Sequence, residues 1–315
     1  MLGCELIALL EQSGRRYHVT GDVNNGVVTA LDIEGRLFAI QDGKVRNRVN
    51  VEAMAGISTR EGYLNPGGDG FWPAPEGSRV GYEYSTAGWR VPPGLTNARW
   101  QVKASSGASA LMTAEVDLIN ASGTGLPCLF SRDLAVSTSG LAMTVTVTES
   151  ITYLGTREYD STQCLLAPWT LCQFDCGPDC ELRITPASSD DIWDLYDRDS
   201  GCQRRQEGQA AVVSMQTDFR FQLGLSPRVR ELLFVDRGRD FQVRRTALPI
   251  AAELHYIDIA DRDPSSAPSG RPVCFSAYCD PSGFMEIEAA GGSPAVLHSG
   301  ASTSLTVTTE YRSGL

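Results

Sequence analysis

Apolar and polar residues alternate one for one through several long runs of this chain, and that period restricts the fold more than any other feature. Leu141, Met143, Val145 and Val147 alternate with Ala142, Thr144, Thr146 and Thr148. Phe219, Phe221 and Leu223 alternate with Arg220 and Gln222, and Leu305, Val307 and Tyr311 with Thr306, Thr308 and Glu310. Successive side chains of a strand point to opposite faces, so a two-residue period sets one face on a core and turns the other to water or a ligand. Further β-rich runs fall near 16–20, 26–40, 110–119, 164–174, 210–216, 231–235, 241–246, 253–259 and 284–289. Turn signals such as Asn25-Gly26, Gly67-Gly68, Gly177-Pro178 and Gly291-Gly292 separate them. Helical periodicity is confined to residues 1–14 and a weaker stretch at 190–197. Dense strands with no long linker predict an all-β chain, a single antiparallel domain over residues 1–315 that opens with a short helical segment at 1–14.

Composition narrows the partners. The 315 residues carry 27 Lys and Arg against 38 Asp and Glu, a net charge of −11, which repels a phosphate backbone and argues against nucleic acid. No apolar run approaches the roughly 20 residues of a membrane span, so no membrane partner is expected. Nine cysteines at scattered positions suit reduced thiols, and Met1-Leu2-Gly3-Cys4 lacks the basic and apolar stretches of an export signal; both favour a cytoplasmic location. Cys172, Cys176 and Cys180 are four apart, but Gly177-Pro178 breaks any helix between them. They read as strand-end thiols around a hairpin, with a local Cys176–Cys180 disulfide as the alternative. His18, His255 and His298 are far apart, and the acidic run Asp190, Asp191, Asp194, Asp197, Asp199 lacks the distal glutamate of a calcium loop. Neither a metal nor a cofactor is expected.

The most distinctive stretch runs from Asn65 to Gly77, Asn-Pro-Gly-Gly-Asp-Gly-Phe-Trp-Pro-Ala-Pro-Glu-Gly. It reads as a rigid loop that displays the carboxylates of Asp69 and Glu76 beside the rings of Phe71 and Trp72. Carboxylates accept hydroxyl hydrogen bonds and an aromatic face packs on C–H groups, the pairing a sugar ring requires. A core plug of Phe71 and Trp72 between two turns, with Glu76 a solvated cap, is the competing reading. Arg79, Glu83 and Arg90 follow the loop as candidate polar contacts.

Gly67-Gly68-Asp69-x-x-Trp72-x-x-Pro75-Glu76 resembles a signature of uncharacterised proteins related to the galactose mutarotases (aldose 1-epimerases). The likeness continues in order through Ser131-Arg132-Asp133-Leu134 and Pro168-Trp169-Thr170-Leu171-Cys172-Gln173-Phe174. It ends with Gly283-Phe284-Met285-Glu286-Ile287-Glu288, Leu297-His298-Ser299-Gly300 and the run 303–311. It covers residues 27–311, and it implies a large antiparallel two-sheet β-supersandwich with a concave sugar groove.

That family takes a proton from the anomeric hydroxyl with a C-terminal glutamate and uses histidines from two earlier strands as acid and support. By position the resemblance places Glu286 as the possible base. The histidines do not carry over: Pro66 stands where the family has the first, and the second is missing from 169–174. Independently of the resemblance, Phe284, Glu286 and Glu288 share one face of their strand while Met285 and Ile287 share the other, so both glutamates project outward if the apolar pair faces the core. A pair of exposed strand glutamates without function is the alternative. Arg48, in Asn47-Arg48-Val49, is similar to a substrate-contacting segment of the family.

The expectation is therefore a carbohydrate-binding protein, or a carbohydrate-processing protein of unassigned reaction, whose partner is a mono- or oligosaccharide. Glu286 and Glu288 accept sugar hydroxyls, Trp72 and Trp169 pack on the ring, and Asp69, Glu76 and Arg48 complete the polar wall. The alternatives are an aldose 1-epimerase-type isomerase and an interaction module without sugar.

Overall fold

A computed structural model describes the whole chain except residues 60–61, 83–90, 257–258, 260–264, 266 and 268–270. Two large antiparallel sheets enclose one core, the arrangement that the alternating pattern predicts. The first sheet runs from edge to edge as Tyr17–Gly21, Gly26–Ala30, Arg36–Gln41, Asp69–Ala74, Ala167–Asp175, Phe284–Ala290, Phe275–Asp280, Phe221–Leu225 and Ile192–Asp194, with the short Lys44–Val45 beside Arg36–Gln41. The second runs Arg204–Glu207, Ala210–Ser214, Cys180–Thr185, Glu231–Asp236, Phe241–Ala247, Ser302–Ser313, Ala142–Tyr153, Gly125–Ser139, Ser109–Ile119 and Gln101–Ser105.

The two sheets bury their residues differently. Strands of the second sheet keep the two-residue rhythm: Ala142–Tyr153 alternates half-buried and buried without a break. Its solvent side carries hydroxyl pairs, Thr146 with Thr308 (3.2 Å) and Thr148 with Thr306 (2.9 Å). In the first sheet, by contrast, Gly26–Ala30, Arg36–Gln41 and Asp69–Ala74 are buried at every position. A sheet covered on both faces has no solvent side to make polar. One part of the cover is the helix Gly3–Gln12, which sets Leu6 and Leu10 against Val28, Phe38 and Ile40, with Met54 from the helix Val51–Ala55 in the same cluster. The inner faces meet through pairs such as Phe71–Phe130 (4.8 Å) and Phe174–Phe234 (5.1 Å).

Two sequence expectations about strands change. Residues 69–74 form a central strand rather than part of a loop. The run 253–259 contributes only an isolated bridge from His255 to Ser293 among its described residues. Of the candidate polar contacts that follow the loop, Glu83 and Arg90 lie outside the described residues. Cys176 and Cys180 flank the turn between two strands and all nine thiols are free, but Ala167–Asp175 and Cys180–Thr185 belong to different sheets, so the turn is a crossover between sheets and not the expected hairpin. No helix among the described residues is long and apolar enough to cross a membrane.

Candidate functional site

Beyond its helical cover, the outer face of the first sheet dips into a pocket of about 200 Å³, and strand register explains its floor. One row across the sheet reads Gly70, Leu171, Glu288, Ser276, Gly224; the next places Gln173, Glu286, Tyr278 and Gln222 side by side. Trp72 and Trp169 face each other on the opposite side of the first row, edge to face at 5.7 Å. The outward parity of Glu286 and Glu288 agrees with the sequence, since Met285, Ile287 and Ala289 lie fully buried on the core side. Both glutamates are nonetheless almost wholly covered, which replaces the alternative of exposed strand residues.

Glu288 sits at the bottom. Its carboxylate accepts from the Trp169 Nε1–H (2.9 Å), from the Gln222 amide (3.2 and 3.3 Å) and from the Ser276 hydroxyl. Several donors on one carboxylate favour its anionic form. Burial raises its pKa, and the bonds from Ser276, Glu286, Trp169 and Gln222 oppose that rise. Glu286, one pleat nearer the turn, accepts a single amide bond from Gln173 (2.6 Å). Burial, and after it the charge and hydrogen bond of Glu288, push the Glu286 carboxyl well above the usual range, with Arg36 only partly compensating. Of the pair, Glu286 is thus the one whose protonated form is favoured most by its surroundings.

The walls are aromatic and amide-bearing: Tyr63, Asn65, Trp72, Tyr196 and Tyr278, with Glu76 and Arg220. Trp72 is fixed by its Nε1–H on Glu34 (3.3 Å), which also accepts from the Tyr63 hydroxyl (3.1 Å) and pairs with Arg36 (2.9 Å). The Arg36 guanidinium lies 5.3 Å over the Trp72 ring. It fits because residue 70 is glycine: a Cβ there would come within 2.5 Å of Arg36 Nη1. Gly224 serves the Trp193 indole in the same way, with 2.4 Å to its Nε1. Gln173 also bonds Asn65 (3.0 Å), while its Oε1 is buried without a partner.

Of the expected site residues, Trp72, Glu76, Trp169 and Glu286 line the pocket and Glu288 lies directly beneath it. Arg48 is at the rim, 4.6 Å over the ring of Phe284 and paired with Asp175 (3.1 Å). Asp69 is a correction. It pairs with Cys172 across the strand and so points to the inside of the sandwich. There Arg245 grips it (2.8 and 3.2 Å) along with Thr170 (2.8 Å). Burial pushes its pKa up, but Arg245 outweighs that and holds it below the usual range; Asp69 neither lines the pocket nor supplies an acid. None of His18, His255 and His298 lines the pocket. Gln173, Gln222, Tyr278 and Tyr196 were missed. For the first three the signal was a polar side chain in phase with a glutamate on a neighbouring strand.

No family model matches the chain, and no curated protein matches its sequence. Solved structures do match its fold. A protein of Synechocystis sp. superposes with a TM-score of 0.60 over 95% of this chain and 96% of its own, at 12% identity. A galactose mutarotase-like protein from Lactobacillus casei gives 0.58 over 94% and 100%, also at 12% identity. A galactose mutarotase related enzyme from Lactobacillus acidophilus gives 0.57 over 95% and 98%, at 10% identity. The chain has the galactose mutarotase-like fold, an all-β two-sheet supersandwich.

Proposed function

We propose that this protein binds a single sugar ring in the pocket of the first sheet and acts as a carbohydrate-binding or carbohydrate-processing protein. One observation carries the reading: two tryptophans, two glutamines and two adjacent buried glutamates gather at one cavity of about 200 Å³. That volume lies below the roughly 300–1,000 Å³ of pockets for drug-sized ligands and suits one small ring. Indole faces pack on C–H groups, while Gln173, Tyr278 and the carboxyls exchange hydrogen bonds with hydroxyls. Titration calorimetry against a panel of aldoses, ketoses and their oligomers tests it. Saturable binding of a monosaccharide, weakened about threefold to tenfold in Glu286→Gln, is expected; the loss of one neutral hydrogen bond is worth about that factor. A panel without any binder refutes the proposal.

The glutamate pair favours an aldose 1-epimerase-type reaction as the second reading. Ring opening needs a proton delivered to the ring oxygen and another taken from the anomeric hydroxyl. In this reading Glu286, the more readily protonated of the pair, is the donor rather than the base, and Glu76 on the pocket wall is the candidate acceptor. Polarimetry of freshly dissolved α-glucose and α-galactose checks it. Faster relaxation that disappears in Glu286→Gln supports the reaction; binding without any rate effect leaves the binding function alone.

A further inference from the structure

A second cavity, of about 470 Å³, opens between the end of the N-terminal helix, the segment after Val51–Ala55 and residues 96–99. In a chain of net charge −11 its lining is unusually cationic: Arg15, Arg16 and Arg99 face Asp32 and Glu34. The two acids are already committed. Asp32 is gripped by Arg16 (2.5 Å), and Glu34 by the buried Arg36 (2.9 Å). Among the described residues, two guanidinium groups are left without a carboxylate. Arg15 donates one bond, to the Gly56 carbonyl (2.5 Å), and its Nε is shielded from solvent without a partner. Arg99 is exposed and acts on Asp32 only through its field.

We propose that this cavity is a second ligand site, for a small anion whose phosphate or carboxylate oxygens are held by the guanidinium groups of Arg15 and Arg99. A planar guanidinium fork matches either oxyanion, and an unsatisfied buried donor marks a bond still to be made. The site stands independently of the sugar reading but shares a wall with the sugar pocket. Tyr63 and Asn65 line the pocket while Leu64 between them lines this cavity. Glu34 borders the cavity and at the same time holds Trp72 and Tyr63.

Thermal-shift and calorimetric titrations with pyrophosphate and with citrate test the proposal, against sodium chloride at matched ionic strength. The chloride control removes the general stabilisation that excluded salts give. A saturable rise in Tm with one or both anions is expected, with affinity reduced about tenfold or more in Arg99→Glu and in Arg15→Lys, the factor one charge-assisted contact carries. Pyrophosphate alone assigns a phosphorylated ligand, and citrate alone a carboxylate. Arg99 is exposed, so Arg99→Glu should fold normally and keeps the test decisive. Arg220→Ala should leave the response intact, because Arg220 belongs to the sugar pocket. No saturable effect beyond chloride, an equal effect in Arg99→Glu, or a response lost in Arg220→Ala instead would each overturn it.

Discussion

The first sheet carries buried carboxylates on both faces and neutralises them in opposite ways. On the inner face, Asp69 is met by Arg245 from the second sheet, while Arg132 pairs with Glu149 and bonds the Asp69 carbonyl (3.1 Å). On the outer face, two strands away, Glu286 and Glu288 lie side by side, among the described residues without such a cation against them, and burial raises both above the usual carboxylate range, Glu286 furthest. The inner arrangement locks two layers together. The outer one favours a protonated carboxyl at the floor of a cavity, within reach of an incoming oxygen. Strand parity alone decides which role a carboxylate takes.

The strongest challenge to this contrast is Asp69→Ala. It strands the fully buried Arg245 charge, and breaking such a pair typically costs about 3–5 kcal/mol. Urea unfolding should register that loss, and a change under about 1 kcal/mol would erase the distinction. Next in size is the pH dependence. Burial lifts Glu149 to about 7 against the pull of Arg132, and Glu286 is also raised. Between about 4.5, the ordinary glutamate value, and neutrality the folded chain thus holds more protons than the unfolded one. The stabilisation is complete below that window and is lost as pH rises through 7. Tm should fall from pH 5 to pH 8, by the equivalent of about 1–3 kcal/mol. A flat or rising profile contradicts the assignment.

Glu286→Gln sharpens the comparison from the other side. Its amide N–H replaces the carboxyl proton toward Glu288, so stability at pH 7 should change by less than about 1 kcal/mol while the fall with pH becomes shallower. Calorimetric or urea melts at several pH values read both effects. A destabilisation as large as that of Asp69→Ala would mean that Glu286 is charged and structurally paired. Smallest is Trp72→Phe, which keeps a ring but loses the bond to Glu34. A loss of about 1 kcal/mol in stability and a few-fold weaker sugar binding are expected; unchanged binding would remove Trp72 from the wall.

How much of this was legible depended on which sheet a residue joins. In the second sheet one face is wet, so Thr144, Thr146 and Thr148 announce their direction against Met143, Val145 and Val147. The strand Phe284–Ala290 could be read in the same way, because two glutamates alternate with Met285 and Ile287. Asp69–Ala74 gives no such cue. Both of its faces are buried, glycine and proline interrupt it, and its acid points toward an arginine 176 residues away that no local pattern reveals. Glu76 and Trp72 were legible as pocket candidates by chemistry, and Asp69 was grouped with them by nearness in sequence, which in a strand says nothing about facing. Gln173 and Gln222 are polar residues with apolar neighbours on both sides in their strands, a pattern visible in the sequence that fits a lined cavity. The raised proton affinity of Glu286 was out of reach, since it depends on how many donors Glu288 collects from three other strands.

Gly70 has no side chain to contribute, yet the electrostatics of the pocket rest on it. Because nothing projects from that position, a guanidinium can lie against the sheet and pull the proton affinity of Glu286 down. Even a methyl group there would compete with the cation for the same space. An engineer wishing to retune the proton affinity of this pocket could therefore begin with the smallest residue in its floor and leave every charged group as it stands.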